Sequence, residues 1–195
     1  MTDKTDLEII IEVLNGNRDI FCFLVRKYER PIFNYIFRMV RSKPDAEDLA
    51  QDTFIKAFSA LNKYDDSYEF STWIYRIALN VCRDYFRKKK IFLFSLSAPV
   101  GDEDESELED FIPQSSFHDP DDAVLNRELR VSLEKAIGEL PIKFREVIVL
   151  RHLEGLSYEE ISLVTGLPVG TVKTYLHRAR KKLQDELGKY LEEYE

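Results

Sequence analysis

The sequence predicts an all-α protein: two small helical domains joined by an acidic flexible linker. Three observations carry this expectation. Only seven glycines and seven prolines interrupt 195 residues, and 44% of the chain is apolar, enough to build real cores. Apolar residues recur at helical spacing near both ends of the chain, at Leu7, Ile10, Ile11 and Leu14 and at Val172, Leu176, Ala179 and Leu183. Between them, residues 91–125 hold ten Asp/Glu and no Lys or Arg.

That middle segment accounts for the charge. The formal net charge is −8, yet residues 1–90 carry 16 Lys/Arg against 14 Asp/Glu, and residues 126–195 carry 12 of each. The segment also contains three of the seven prolines and a serine-rich stretch, with no sustained periodicity. Such a composition buries too little apolar surface to offset the entropy of ordering. Domains are therefore expected at 1–90 and 122–195, with a linker at 91–121.

The N-terminus, MTDKTDLE, is acidic and lacks the apolar core of a signal peptide. No apolar run approaches the ~18 residues that would span a bilayer. Cys22 and Cys82 both fall in apolar-periodic segments and read as reduced packing residues. The expectation is a cytoplasmic protein with no membrane insertion of its own.

In the first domain, Leu7, Ile10, Ile11 and Leu14 predict one face of a helix that Gly16 can end. Asn17 is expected to cap a second helix with Phe21, Leu24, Val25 and Tyr28 inside, continuing through Ile32, Ile36, Met39 and Val40, with a kink or break at Pro31. Ser42 is an N-cap candidate for a third, with Asp45, Glu47 and Asp48 near its positive end. Its buried stripe is Ala50, Phe54, Ala57, Phe58 and Leu61. The opposite side, Asp48, Gln51, Asp52 and Ile55, is a polar surface with one exposed aliphatic residue, suited to solvent or to a partner.

A loop from Asn62 to Phe70 follows, holding Tyr64, Tyr68 and Phe70, and then a helix expected to be capped by Ser71 or Thr72. Its core face is Ile74, Ile77, Ala78 and Val81, leaving Trp73, Arg76, Asn80, Arg83 and Arg87 for neighbours and solvent. Aromatics interleaved with Arg and Asn suit single-stranded nucleic acid, because rings stack on bases while cations track phosphates. Trp73 fits a core position equally well. The run Arg87-Lys88-Lys89-Lys90 suits either a helix C-terminus or a phosphate-facing patch.

The segment "LSYEEISLVTGLPVGTVKTYLHRARKKL", Leu156 to Leu183, predicts a helix-turn-helix over about 157–182. Ser157 and Glu160 form a capping box, Ile161 and Val164 are buried, Gly166 supplies the turn, Leu167 fills the angle and Pro168 pre-sets the second helix. Val172, Leu176, Ala179 and Leu183 then face inward. Gly170, Thr174, His177, Arg178 and Lys181 lie opposite, edged by Thr171 and Lys182 on one side and by Lys173 and Arg180 on the other. A polar centre between cationic edges suits a helix in the major groove, with base edges ahead and phosphate walls to either side.

Both halves together, "DAEDLAQDTFIKAF…FSTWIYRIALNVCRDYFRKK" and "LPIKFREVIVLRHLEGLSYEEISLVTGLPVGTVKTYLHRARKKL", resemble the extracytoplasmic-function (ECF) class of bacterial RNA polymerase sigma factors. The resemblance implies that residues 1–90 are sigma region 2 and 122–195 region 4. Asp48, Gln51, Asp52 and Ile55, within a core-binding stretch at about 48–61, would dock on the polymerase β′ clamp helices. A pocket built around Tyr64, Tyr68 and Phe70 and lined by Ala60, Ile77 and Asn80 would capture an unstacked base of the −10 element; Arg76 and Arg83 would hold nearby backbone. Gly170, Thr171, Lys173, Thr174, His177, Arg178, Arg180 and Lys181 would read the −35 element, with the other surface of region 4 on the β flap tip. The acidic linker would thread towards the RNA exit path. The implied partners are core RNA polymerase, promoter DNA and an anti-sigma factor, and the implied function is to start transcription of a stress or envelope regulon.

No enzyme constellation competes. His118, His152 and His177 are scattered away from metal-spaced ligands and no glycine-rich phosphate loop occurs, so no catalytic residue, metal or cofactor is expected. Two rival classes are a stand-alone helix-turn-helix regulator, which the first domain argues against, and a sigma mimic that sequesters an anti-sigma protein, which would not need a five-cation helix.

Overall fold

A computed structural model describes residues 4–96 and 131–192, with side chains described to residue 89 in the first stretch and 188 in the second. The stretch 97–130, with most of the predicted acidic linker, lies outside the described residues. Every regular element among the described residues is helical.

The first four helices are α1 (Asp6–Leu14), α2 (Phe21–Val40), α3 (Lys43–Ser59) and α4 (Phe70–Leu96). Helix α1 starts with a capping box, in which the Thr5 N–H donates to Glu8 and the Glu8 N–H to the Thr5 hydroxyl. Its inward stripe is not the expected one. Ile9, Ile10 and Val13 are buried, while Leu7, Ile11 and Leu14 are exposed. Asp6 decides the rotation: it accepts hydrogen bonds from Lys27 at 2.7 Å and from the Tyr28 hydroxyl at 2.6 Å, turning the 6-9-10-13 face inward.

Further local expectations are corrected. Asn17 makes no side-chain cap; a short 3-10 turn, Arg18–Ile20, leads into α2 instead. Of the kink or break expected at Pro31, the break does not occur: helix α2 is continuous there, since one missing N–H is outweighed by the buried residues on either side, Leu24, Tyr28, Ile32, Ile36 and Met39. It ends at Arg41, which adopts a left-handed φ of 59°. Helix α4 begins at Phe70, placing Ser71 and Thr72 inside its first turn rather than at a cap, and it continues to Leu96, past the expected boundary at 90. Ser42 precedes α3 in an extended conformation without a side-chain cap bond. Cys82 is buried as expected, but Cys22 is exposed.

The second domain comprises α5 (residues 131–139), α6 (Ile142–His152), α7 (Tyr158–Thr165) and α8 (Val169–Glu192). Helix α6 buries Phe144, Glu146, Val147, Ile148, Val149 and Leu150 in near succession. A helix covered on all sides is a central one. It lies between α8 on one side and α2 of the first domain on the other, while α7 packs on α4. The two domains thus share one continuous apolar core.

Candidate nucleic-acid and polymerase interfaces

The helix-turn-helix is locked by side chains reaching back to the backbone. The Ser157 N–H donates to Glu160 at 2.7 Å and the Glu160 N–H to the Ser157 hydroxyl at 3.1 Å. Gly166 takes φ 74°, a left-handed conformation that a Cβ would strain. Across the turn the Ser162 hydroxyl donates to the Leu167 carbonyl at 2.6 Å, and the Thr165 hydroxyl donates to Ile161 at 2.6 Å while accepting from the Leu167 N–H. The angle between α7 and α8 is therefore fixed by hydrogen bonds as well as by packing.

Helix α8 divides its side chains cleanly. Val172, Leu176, Ala179 and Leu183 are buried, and Tyr175 packs edge-on against Phe144 at 5.4 Å. Gly170, Lys173, Thr174, His177, Arg178, Arg180, Lys181 and Lys182 are exposed, and Thr171 is half-buried. The Thr174 hydroxyl donates to the Gly170 carbonyl at 2.9 Å, so its lone pairs face outward. Arg180 donates to the His152 ring nitrogen at 3.3 Å, and burial, with Arg180 and Arg151 adding, pushes that imidazole below its usual value. Lys173 stands 5.8 Å from the Tyr158 ring. Arg178 and Lys181 have no ion pair among the described residues, which leaves two cations free for an anionic ligand.

In the first domain, the loop after α3 is pre-formed. The Tyr64 hydroxyl donates to the Tyr68 carbonyl at 2.5 Å, and Asp65 accepts from the Ser67 N–H at 3.0 Å. Tyr64 meets Phe70 at 5.8 Å and Trp73 at 5.4 Å, forming an aromatic floor. Phe70 is only 1% exposed and also packs on Tyr28 at 5.3 Å, so it supports the loop from below rather than offering a stacking face. Tyr68, Arg76 and Asn80 are exposed; Ala60, Tyr64 and Ile77 are half-buried at the rim. Trp73 is half-buried, which joins its two readings: it braces Tyr64 and still presents an edge.

Arg83 is placed differently from the other α4 residues in this group. It donates through Nε to Glu146 at 3.0 Å, through Nη2 to the same carboxylate at 2.7 Å, and through Nη1 to the Thr165 carbonyl at 3.3 Å. In this arrangement the guanidinium faces the second domain, not solvent. The hydrogen bond to Glu146 pushes Arg83 above the usual arginine value. Around it runs a wider set of contacts between the domains. The Tyr75 hydroxyl donates to Glu154, Arg38 pairs with Glu134 at 3.2 Å, and Arg145 donates to the Met39 carbonyl at 2.6 Å. Arg145 also donates to Leu140 at 3.1 Å, and burial beside Arg41 lowers it to about 10. No periodicity pairs residues so far apart in the chain, so the sequence carried no sign of this network.

The third surface lies on α3. Asp48 and Gln51 are exposed, Ile55 is 57% exposed, and Asp52 pairs with Lys56 at 3.0 Å. Phe58, expected in the buried stripe, is instead 38% exposed, its ring edge-on to Phe21 at 5.1 Å. The α2–α3 groove beside it is lined by Phe21, Val25, Phe33, Phe54, Ile55 and Phe58. An apolar groove rimmed by Glu47 and Gln51 has the make-up of a protein-docking site.

Fold and surfaces together define a two-domain, all-α protein with a helix-turn-helix reading head and a separate aromatic–basic face. The sequence matches the family models Sigma-70 region 2 over residues 24–91 and Sigma-70, region 4 over residues 130–183. Among curated proteins it is 37% identical to the ECF RNA polymerase sigma factor SigW of Bacillus subtilis, covering 91% of this chain and 94% of that one. It is 34% identical to the ECF RNA polymerase sigma-E factor of Escherichia coli K12, covering 94% of each. The solved structure of CnrH in complex with the cytosolic domain of CnrY superposes with a TM-score of 0.68 at 27% identity, over 95% of this chain and 99% of that one. That of RpoE with NepR from Bartonella quintana, at 24% identity and TM-score 0.69 over 86% of this chain and 96% of that one, shares the fold. The chain belongs to the ECF class of RNA polymerase sigma factors.

Proposed function

We propose that this sigma factor divides its work among four surfaces. Asp48, Gln51, Asp52 and Ile55 dock on the β′ clamp helices, with the neighbouring α2–α3 groove receiving the apolar part of that contact. The loop at Tyr64–Tyr68 and the rim residues Ala60, Arg76, Ile77 and Asn80 take the −10 element. The outward face of α8 takes the −35 element, while the groove formed by α5, α6 and α8 receives the β flap tip. Residues 1–90 act as region 2 and residues 122–195 as region 4.

Mechanistically, the protein brings core polymerase to a promoter and holds the melted strand by trapping an unstacked base. Extruding a base costs a few kcal/mol, about what pocket contacts and the polymerase together offset. The chain supplies recognition and no catalytic chemistry of its own, and it works in the cytoplasm. A protein partner that sequesters it belongs to the same reading; CnrH was solved with a bound domain of CnrY.

The observation that carries this reading is the pairing, in one chain and in family order, of an exposed cationic helix-turn-helix face with an exposed α3 docking surface. A fluorescence titration of labelled protein with core polymerase tests it. Saturable binding that also confers promoter selectivity supports the reading. Binding to duplex DNA alone, with none to core polymerase, would transfer the protein to the stand-alone regulators.

A further inference from the structure

Helix α1 is seated by a carboxylate rather than by its full apolar stripe. Leu7, Ile11 and Leu14 stay 41%, 49% and 52% exposed, while Asp6 is turned inward until its side chain is only 15% exposed. Burying a carboxylate costs free energy unless donors surround it. Lys27 supplies one donor, at 2.7 and 2.8 Å, from a largely exposed side chain. The other is the Tyr28 hydroxyl, at 2.6 Å, and it leads inward. The buried Tyr28 ring stands edge-on to Phe70 at 5.3 Å, and Phe70 in turn meets Tyr64 at 5.8 Å and Trp73 at 5.6 Å. This line of contacts ends where the Tyr64 hydroxyl closes its loop on the Tyr68 carbonyl.

We infer that Asp6 is a positioning residue for base capture: through Tyr28 and Phe70 it sets the tilt of the Tyr64 ring, and with it the shape of the loop that receives an unstacked base. The inference rests on the assignment of the Tyr64–Tyr68 loop to the −10 element. A tyrosine ring turns in a broad χ2 well, and the bond to Asp6 removes that freedom from Tyr28. Neighbouring rings keep edge-to-face contact, and a close-packed interior transmits a shift rather than absorbing it. The other arm of the loop leads to the same helix, since the 3-10 turn Leu61–Lys63 that enters the loop packs on α1. Burial pushes the Tyr64 hydroxyl above its usual value, and the charges of Glu69, Asp66, Asp6 and Asp65 add to this. The hydroxyl is thereby kept as the donor that closes the loop. Asp6 touches no base in this account; it acts through Tyr28.

The test uses the full chain assembled with core polymerase. Its probe is a fluorescent single-stranded DNA drawn from a randomised pool by the parent holoenzyme, alongside the same strand altered at its most enriched position. Asp6→Ala and Tyr28→Phe should each lower the preference for the selected strand over the altered one by roughly three- to ten-fold, the range one net hydrogen bond spans. The double variant should lose no more than either alone, because both act through one contact. Affinity for core polymerase should not change. Tyr28→Phe keeps the ring on Phe70, so the measurement stands even if Asp6→Ala loosens α1. Equal weakening on both strands, or losses that add in the double variant, would overturn the role of Asp6. The two readings fail separately. A selective parent with unaffected variants rejects the role of Asp6 alone, whereas a parent that enriches no strand rejects the loop assignment and the inference with it.

Discussion

Arg83 and Glu146 are 63 residues apart in sequence and meet through two hydrogen bonds, at 3.0 and 2.7 Å. The pair joins a helix assigned to −10 recognition to the helix that underlies the −35 reading head. The seat of the second domain on the first is thereby held by a charged side-chain pair as well as by apolar packing.

On the reading head, Arg178 is exposed at the centre of the outward face of α8 and has no ion pair among the described residues. Arg178→Ala should weaken promoter binding by about 1–3 kcal/mol and relax preference at one −35 position. Competition binding across a set of single-base −35 variants checks this. Uniform loss on every sequence would reduce Arg178 to a phosphate contact.

The α3 surface makes a different prediction. Replacing Gln51 and Asp52 together by lysine should abolish core polymerase binding. Both side chains lie on the surface, so stability should change by no more than about 0.5 kcal/mol apart from the loss of the exposed Asp52–Lys56 pair. Core affinity and a urea melt, measured on the same preparation, separate the two effects. Unchanged affinity would remove this surface from the docking assignment.

The cap of the reading head should be visible in acid. Its side-chain and backbone bonds with Ser157 hold the Glu160 carboxyl below its usual 4.5. A depressed folded value means that the stabilisation is present above 4.5 and is lost as pH falls through the folded value. Ser157→Ala should cost about 1 kcal/mol at neutral pH. The gap between parent and variant in denaturant melts should narrow below pH 4.5. A gap independent of pH would show that the capping carboxylate adds nothing.

Glu154 should behave in the opposite sense. Burial raises its carboxyl above the usual 4.5, outweighing the bond from Tyr75 and the charge of Arg38. With the folded value raised, its contribution is greatest below 4.5 and declines as pH rises through the folded value. Glu154→Gln keeps an acceptor for the Tyr75 hydroxyl without a charge to bury. It should stabilise the folded chain at pH 7 by a few tenths to about 1 kcal/mol. Thermal melts at pH 4 and pH 7 check this, the difference between the two proteins growing with pH.

Much of this was legible from sequence where the physics is local. The Ser157–Glu160 box, the left-handed Gly166 and the Val172–Leu183 stripe each need only a few neighbouring residues, and all three stand in the structure as read. Exposure of Ile55 opposite the Ala50–Phe54–Ala57 stripe was equally readable. The misses arise where a distant partner decides. Asp6 rotates α1 because Tyr28 and Lys27 hold it, and Leu7, Ile11 and Leu14 are left outside. Phe58 fits the apolar period of α3 but lies at the edge of the α2–α3 groove, where no element among the described residues covers it. Arg83 continues the basic pattern of α4, and only the position of α6 reveals Glu146 in front of it.

Run-off transcription with purified core polymerase, on a template carrying an ECF-type promoter and on one with its −10 and −35 elements scrambled, tests the central claim most directly. A promoter-specificity subunit gives a discrete transcript from the first template and none from the second. Equal transcription from both templates, or none from either despite a folded protein, would contradict it.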